Sequence, residues 1–182
     1  MNKELEVKIL NIIPDEIKEK IVSLGGVLIA KETQTNTLVD SSARPIKSFL
    51  DAYLRIRETR EHLTGKETCV MTLKKNLPNK HLRENIELNV EIDSSDVMIQ
   101  ILKDLGFDNI NVGTKHRTSY SFMGARLDID IWDEKTYPFP YMEVEVEREE
   151  DLEQVLKVLE ISENNVSKLS IIELQNQLRG TE

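Results

Sequence analysis

The sequence predicts an α+β fold: an eight-stranded antiparallel β-barrel, a tunnel with a charged interior and helices packed outside it. Segment after segment alternates apolar with charged residues, and a strand sends successive side chains to opposite faces. Short connections join these segments, which favours antiparallel neighbours and a closed or nearly closed sheet. Amphipathic helices need an apolar surface to pack against, and the apolar strand faces supply one on the outside. The charged faces are then left to line the interior.

The opening strand covers residues 2–10, with Glu4, Glu6 and Lys8 facing one way and Leu5, Val7 and Ile9 the other. Pro14 suits the first turn of a helix, whose Ile17, Ile21 and Leu24 recur at helical spacing until Gly25-Gly26. A second strand, rich in threonine and β-branched residues, spans 27–39. A loop with Pro45 leads to a third strand at 51–58, where Tyr53, Arg55 and Arg57 share a face. The fourth, 67–75, carries Thr72 and Lys74 opposite Cys69, Met71 and Leu73. The fifth, 83–92, aligns Arg83, Asn85, Glu87, Asn89 and Glu91 against Ile86, Leu88, Val90 and Ile92. Ser94 or Ser95 caps a helix carrying Met98, Ile101, Leu102 and Leu105, ended by Gly106. The sixth strand, 112–122, puts Lys115, Arg117 and Ser119 in phase. After Gly124 the seventh opposes Arg126, Asp128 and Asp130 to Leu127, Ile129 and Ile131, and the eighth opposes Glu143, Glu145 and Glu147 to Met142, Val144 and Val146. A helix at 149–160 buries Leu152, Val155, Leu156 and Leu159, and a last one runs from Ser167 or Ser170 to Leu178.

No repeat or low-complexity linker divides the 182 residues, which are expected to form a single domain, 1–182. A net charge of −9 argues against binding nucleic acid through its phosphate backbone. The single cysteine, Cys69, excludes an internal disulfide and points to a reducing compartment. With no apolar leader or membrane-length run, the expectation is a cytoplasmic protein without a membrane partner, monomer or homodimer.

Alternation alone leaves a second architecture open, a sandwich whose charged faces are simply solvated. Two details favour the charged interior. The polar faces are dominated by Glu, Asp, Arg and Lys rather than Ser and Thr, and the signs are mixed between strands. Buried charges persist when paired or when bound to an ion or ligand. Clustered Arg and Lys suit a polyanion, because the guanidinium fork matches phosphate oxygens. Clustered carboxylates suit a hard divalent cation, Mg2+ or Mn2+. Together they point to a metal-bound polyphosphate.

On these residues the chain resembles the CYTH domain, or triphosphate tunnel metalloenzyme superfamily. The E-x-E-x-K hallmark stands as Glu4, Glu6 and Lys8. In order there follow Leu54-Arg55-Ile56-Arg57, Thr72-Leu73-Lys74, Arg83 with Glu87, Lys115-His116-Arg117 with Tyr120, Asp130 before Trp132, and Glu143-Val144-Glu145. The resemblance implies an eight-stranded tunnel that binds a triphosphate with Mg2+ or Mn2+. It implies metal ligands at Glu4, Glu6, Asp130, Glu143 and Glu145, and a phosphate cradle of Lys8, Arg55, Arg57, Lys74, Arg83, Lys115 and Arg117. Lys8, Glu87 and Asp130 are implied as catalytic. One departure is Asn89, where the family often has a second glutamate on the fifth strand.

The family divides by reaction. Triphosphatases hydrolyse tripolyphosphate, nucleoside or thiamine triphosphate; class IV adenylyl cyclases turn ATP into cyclic AMP and pyrophosphate. Hydrolysis needs fewer special groups and is the expected reaction, with the cyclase as the alternative and a non-catalytic polyphosphate- or nucleotide-binding module as a third reading. His62, His81 and His116 are scattered and form no metal-binding spacing. Trp132 either stacks on a base or packs.

Overall fold

The computed structural model describes residues 2–78 and 83–180, with the backbone alone for 2–4 and 179. In order the elements are β1 (Asn2–Ile9), α1 (Pro14–Ser23), β2 (Val27–Asp40), β3 (Ala52–Glu61), β4 (Glu67–Leu77), β5 (Arg83–Glu91) and α2 (Ser95–Asp104), then β6 (Asn109–Phe122), β7 (Ala125–Trp132), β8 (Tyr141–Val146), α3 (Glu149–Val158), β9 (Val166–Ser167) and α4 (Ile171–Arg179).

The strands form one antiparallel sheet in the order β5-β4-β3-β2-β6-β7-β8-β1-β9, and β5 also pairs with β1, so β1 to β8 close into a barrel. The seam is divided. One edge of β1 pairs with β5 from Asn2 to Glu6 and with the short β9 at Lys8 and Ile9. That ninth strand was not expected from the sequence. β2 and β6 are the longest strands, at 14 residues each. β6 starts at Asn109, three residues before the expected Val112, because Asn109, Ile110 and Asn111 continue the ladder opposite Asp40, Val39 and Leu38. Met123 and Gly124, both at positive φ (51° and 79°), make the tight turn to β7, whose twist suits a two-residue hairpin.

The apolar core lies outside the barrel, as the alternation predicts. Outward-facing Val7, Ile9, Leu127, Ile129 and Val144 pack against Ile17 and Ile21 of α1 and Leu152 and Val155 of α3. A fully buried side chain of this kind contributes ~1.5–3 kcal/mol. A smaller cluster seats Leu102 of α2 on Val39 and Ile56. Ser94 caps α2 by accepting from the Val97 amide, and α4 begins with a full capping box between Ser170 and Glu173. α3 has no side-chain cap, but Glu149, Glu150 and Asp151 meet the positive end of its dipole. Among the described residues no helix is long and apolar enough to cross a membrane.

α4 differs from the other three helices. Leu174 packs with Tyr137 and Tyr141, and Gln175 donates to the Thr136 carbonyl at 2.7 Å, which sets α4 across one mouth of the barrel.

Candidate active site: a charged tunnel in two compartments

The barrel interior holds two cavities that meet in the middle. The first, about 470 Å³, lies under α4 and is lined by Glu6, Lys8, Arg55, Arg57, Lys74, Arg83, Glu87, Lys115, Arg117, Glu143 and Glu145. The pleat brings these residues together, since each sits at an inward position of its strand. The second cavity, about 490 Å³, opens at the other mouth, where Gln34, Thr59, Thr68, Thr72 and Asn89 alternate with charged Glu32, Glu91 and Arg126. Arg55, Arg57, Glu87 and Arg117 border both, forming a septum between them.

In the first compartment nearly every cation meets a carboxylate. Glu6 takes Lys74 at 3.5 Å, Arg83 at 3.6 Å and the Asn85 amide at 3.0 Å. Glu87 takes Lys74 at 3.2 Å and Arg55 at 3.8 Å. Lys8 meets Glu143 at 3.0 Å. Arg117 is the hub, reaching Asp130 and Asp128 at 2.6 Å and Glu143 at 2.5 Å. Burial opposes ionisation of the Glu143 carboxyl, but the charges of Lys8, Arg117 and Lys115 outweigh it and hold the group well below the usual carboxylate range.

Asp130 does not border either cavity. It is fully buried behind the cation row, held by Lys115 at 2.6 Å and by Arg117 through two guanidinium nitrogens. Burial works to raise its carboxyl, and Arg117 and Lys115 overcome that and hold it below its ordinary value. Asp130, expected as a metal ligand and catalytic residue, thus stands behind Lys115 and Arg117, which line the first compartment. Lys115, despite this partner, is lowered to about 7 by burial and by the neighbouring Arg117.

Arg57 has a different environment. Its Nε donates to Asn36 at 2.7 Å, and among the described residues no carboxylate lies within ion-pair reach. Burial, with Arg55 and Arg117 beside it, lowers its pKa to about 9. The buried Nε of Arg55 meets no acceptor. At the centre of the tunnel, Arg57 therefore carries a charge that no carboxylate among the described residues pairs.

The carboxylates suit a hard divalent cation chemically. Glu6 and Glu145 are cross-strand partners, and Glu143, opposite Lys8, lies two positions along. The backbone of Glu4 is opposite Asn85; its side chain lies outside the described residues. Among the described residues no three such groups already converge as a cage, because Glu6 and Glu143 are engaged by lysine and arginine. Asn89 lines the second compartment, accepts from Thr72 at 2.7 Å and donates to Glu87.

Sequence reasoning missed three contributions to the site and left the place of a fourth, Trp132, open. The inner face of β2 supplies Gln34 and Asn36, hidden because its outer face is threonine rather than apolar. Asp128 anchors Arg117; its phase with Asp130 was the available signal. Trp132 donates to the Tyr141 hydroxyl at 2.8 Å and both line the first compartment, with Lys115 over the indole. Ile171, Ile172 and Gln175 of α4 also line it, which no periodicity announces. Of the histidines, His62 and His116 meet at the Thr33 hydroxyl on the outer face, and His81 lies outside the described residues.

Solved structures share this architecture. A Pyrococcus horikoshii protein is 24% identical, with a TM-score of 0.79 over 96% of this chain and 98% of its own. A Vibrio parahaemolyticus protein provisionally assigned as an adenylate cyclase is 16% identical, with a TM-score of 0.71 over 95% and 97%. A Hippeastrum protein provisionally assigned as an adenylyl cyclase, with a dominant triphosphatase activity, is 17% identical, with a TM-score of 0.62 over 93% and 91%. No curated protein matches the sequence significantly. The CYTH domain family model matches residues 2–171, and with the closed, charge-lined barrel around the Glu6–Lys8 strand this chain belongs to the CYTH domain family.

Proposed function

We propose that the chain is a divalent-metal-dependent hydrolase acting on a triphosphate bound in the tunnel. The observation that carries this reading is the charge of Arg57 in the septum, which no carboxylate among the described residues pairs. Arg57 is half-buried with only an amide oxygen for a partner, and Arg55 keeps an unmatched donor. A phosphate group satisfies both, because its oxygens match the guanidinium fork and bring the missing negative charge. Lys8, Lys74, Arg83, Lys115 and Arg117 extend the cradle through the first compartment. Glu87 positions Lys74 and Arg55, and Asp130 positions Lys115 and Arg117. Lys8 stands between Glu143 and the face of Tyr141.

Glu6, Glu143 and Glu145, with Glu4 from the same strand, would hold Mg2+ or Mn2+, which when bound draws charge from the phosphoryl oxygens. Cationic side chains then exchange carboxylate partners for phosphate oxygens, so the resting ion pairs keep the cradle preorganised. Leu38, Ile46, Trp132, Ile171 and Ile172 give the same compartment an apolar side. That favours a triphosphate bearing an organic group, such as a nucleoside or thiamine, over bare tripolyphosphate.

The test is product identification. The protein is incubated with ATP, thiamine triphosphate or tripolyphosphate, with Mg2+, Mn2+ or chelator. Orthophosphate released only with metal is expected. Cyclic AMP with pyrophosphate selects the cyclase, and tight binding without turnover selects a binding module.

A further inference from the structure

We infer that Asp40, with Asn109 beside it, holds the ribose hydroxyls of the substrate, so that the triphosphate is that of a nucleoside rather than of thiamine. This rests on the hydrolase reading above and narrows its substrate. Asp40 is the last residue of β2 and lines the first compartment, as Leu38 does two positions before it. One carboxylate oxygen, Oδ1, accepts from the amides of Ser41 and Ile46, each at 2.8 Å. These two bonds fix the carboxylate at the start of the loop between β2 and β3. The other oxygen, Oδ2, meets no donor among the described residues. An ionised carboxylate only accepts, so the group that completes this one must donate.

Asn109 is the cross-strand partner of Asp40 and lines the same compartment. Its side-chain carbonyl accepts from the Asn111 amide at 3.0 Å, which leaves its own NH2 to donate. Directly opposed residues of an antiparallel pair hold their Cβ atoms about 4.5–5.5 Å apart. This part of the compartment thus offers a fixed acceptor and a donor side by side. Two neighbouring hydroxyls match them, because a hydroxyl both donates and accepts. A phosphate oxygen would face Oδ2 charge to charge.

Depth in the tunnel agrees. Asn36, on the same face of β2, bonds Arg57 of the septum at 2.7 Å. Asp40 lies four residues further along that face, about 13 Å at the rise of a strand. A nucleoside triphosphate held by its terminal phosphate at the septum covers that distance with its phosphates and the 5′ carbon, and brings its 2′ and 3′ hydroxyls to Asp40. Leu38 and Ile46, beside Asp40, supply apolar surface for the rest of the nucleoside. Thiamine carries no pair of neighbouring hydroxyls, and tripolyphosphate ends before Asp40.

The test measures kcat/KM for ATP, 2′,3′-dideoxy-ATP, thiamine triphosphate and tripolyphosphate with Mg2+, on the parent protein and on Asp40→Asn. The variant keeps a carbonyl oxygen for the Ser41 and Ile46 amides and puts an NH2 in place of Oδ2. The parent should prefer ATP over its dideoxy form by about 10- to 100-fold, the worth of hydrogen bonds to a charged group, and should prefer ATP over thiamine triphosphate. In Asp40→Asn the preference for ATP over dideoxy-ATP should all but vanish, through a raised KM for ATP, with Tm near the parent value. A loss shared equally by all four substrates would make Asp40 merely structural and overturns the inference. A parent that treats ATP and dideoxy-ATP alike, or that hydrolyses thiamine triphosphate fastest, overturns it too, and the hydrolase reading stands in each case. If Asp40→Asn does not fold, Asn109→Ala decides: a narrowed preference for ATP over dideoxy-ATP supports the inference, and an unchanged one sinks it. If the parent releases orthophosphate from none of the four, the hydrolase reading falls and this inference with it.

Discussion

The two compartments of the tunnel are similar in volume, about 470 and 490 Å³, and differ in what lines them. The first is a lattice of lysine, arginine and carboxylate pairs, covered by α4 and edged with aromatic and aliphatic side chains. The second sets threonine hydroxyls and the amides of Gln34 and Asn89 among charged side chains such as Glu32, Glu91 and Arg126, with no helix over it among the described residues. The difference separates two costs of burying charge. In the first compartment partners compensate the charge. Within the septum, among the described residues, Arg57 alone meets an amide oxygen instead of a carboxylate, a position suited to a ligand's negative charge.

The largest expected break in this contrast is Arg57→Met. It should lower kcat/KM by about 100- to 1,000-fold, as the loss of one preorganised charge donor does. Because Arg57 is already pulled down to about 9 by burial and like charges, its removal should leave Tm unchanged or raised. A lowered Tm, measured by calorimetry, would show that Arg57 is compensated after all.

Asp130→Asn tests the opposite case. Arg117 and Lys115 lose their anchor, and breaking one partner of a buried pair costs ~3–5 kcal/mol. For a chain of this size that is a fall in Tm of about 6–20 °C. The loss should exceed that of Arg126→Ala, since Arg126 is 41% exposed beside Asp128 at the second mouth. Circular dichroism melts rank the two.

Gly113→Ala probes how α4 is held. A Cβ there would stand 2.5 Å from the Thr136 hydroxyl, whose residue offers its carbonyl to Gln175. Overpacking of this kind costs ~1–3 kcal/mol. The expected signature is a raised KM from a displaced cover, with a smaller change in kcat.

The smallest effect belongs to the turn between β3 and β4. Glu61 accepts from the amides of Lys31, Leu63 and Thr64, and these bonds with the Thr64 hydroxyl lower it to about 2. A depressed carboxylate contributes stability that is present above its unfolded value and lost as pH falls through the folded one. Glu61→Gln should therefore be less stable than the parent at neutral pH. The gap should close between about pH 4.5 and 2. A gap that persists at pH 2 would assign the effect to something other than ionisation.

Much of this was legible in the sequence because a strand's alternation is local. Glu6, Lys8, Arg55, Lys74 and Glu143 face inward as their positions require, and the helices that cover the outer faces follow from Leu102 or Val155 at helical spacing. Which carboxylate shields which cation was not legible. Asp130 has the same alternation as Glu143, yet register places it against Arg117 and behind Lys115. β2 was opaque for another reason: threonine on its outer face gave no contrast with Gln34 and Asn36 within. The placement of α4 depends on a loop, since Thr136 and Tyr137 decide where it docks.

The divided seam of β1 has a consequence for how the protein is made. β1 needs β5 on one edge and β8 on the other, and β8 begins about 130 residues after β1 ends. At roughly 5–20 residues per second, the nascent strand waits about 7 seconds or longer with an open edge. An open edge invites pairing with other chains, and alternating charges along it discourage that. Glu6 and Lys8 thus guard the strand on the ribosome before the same charges come to line the tunnel.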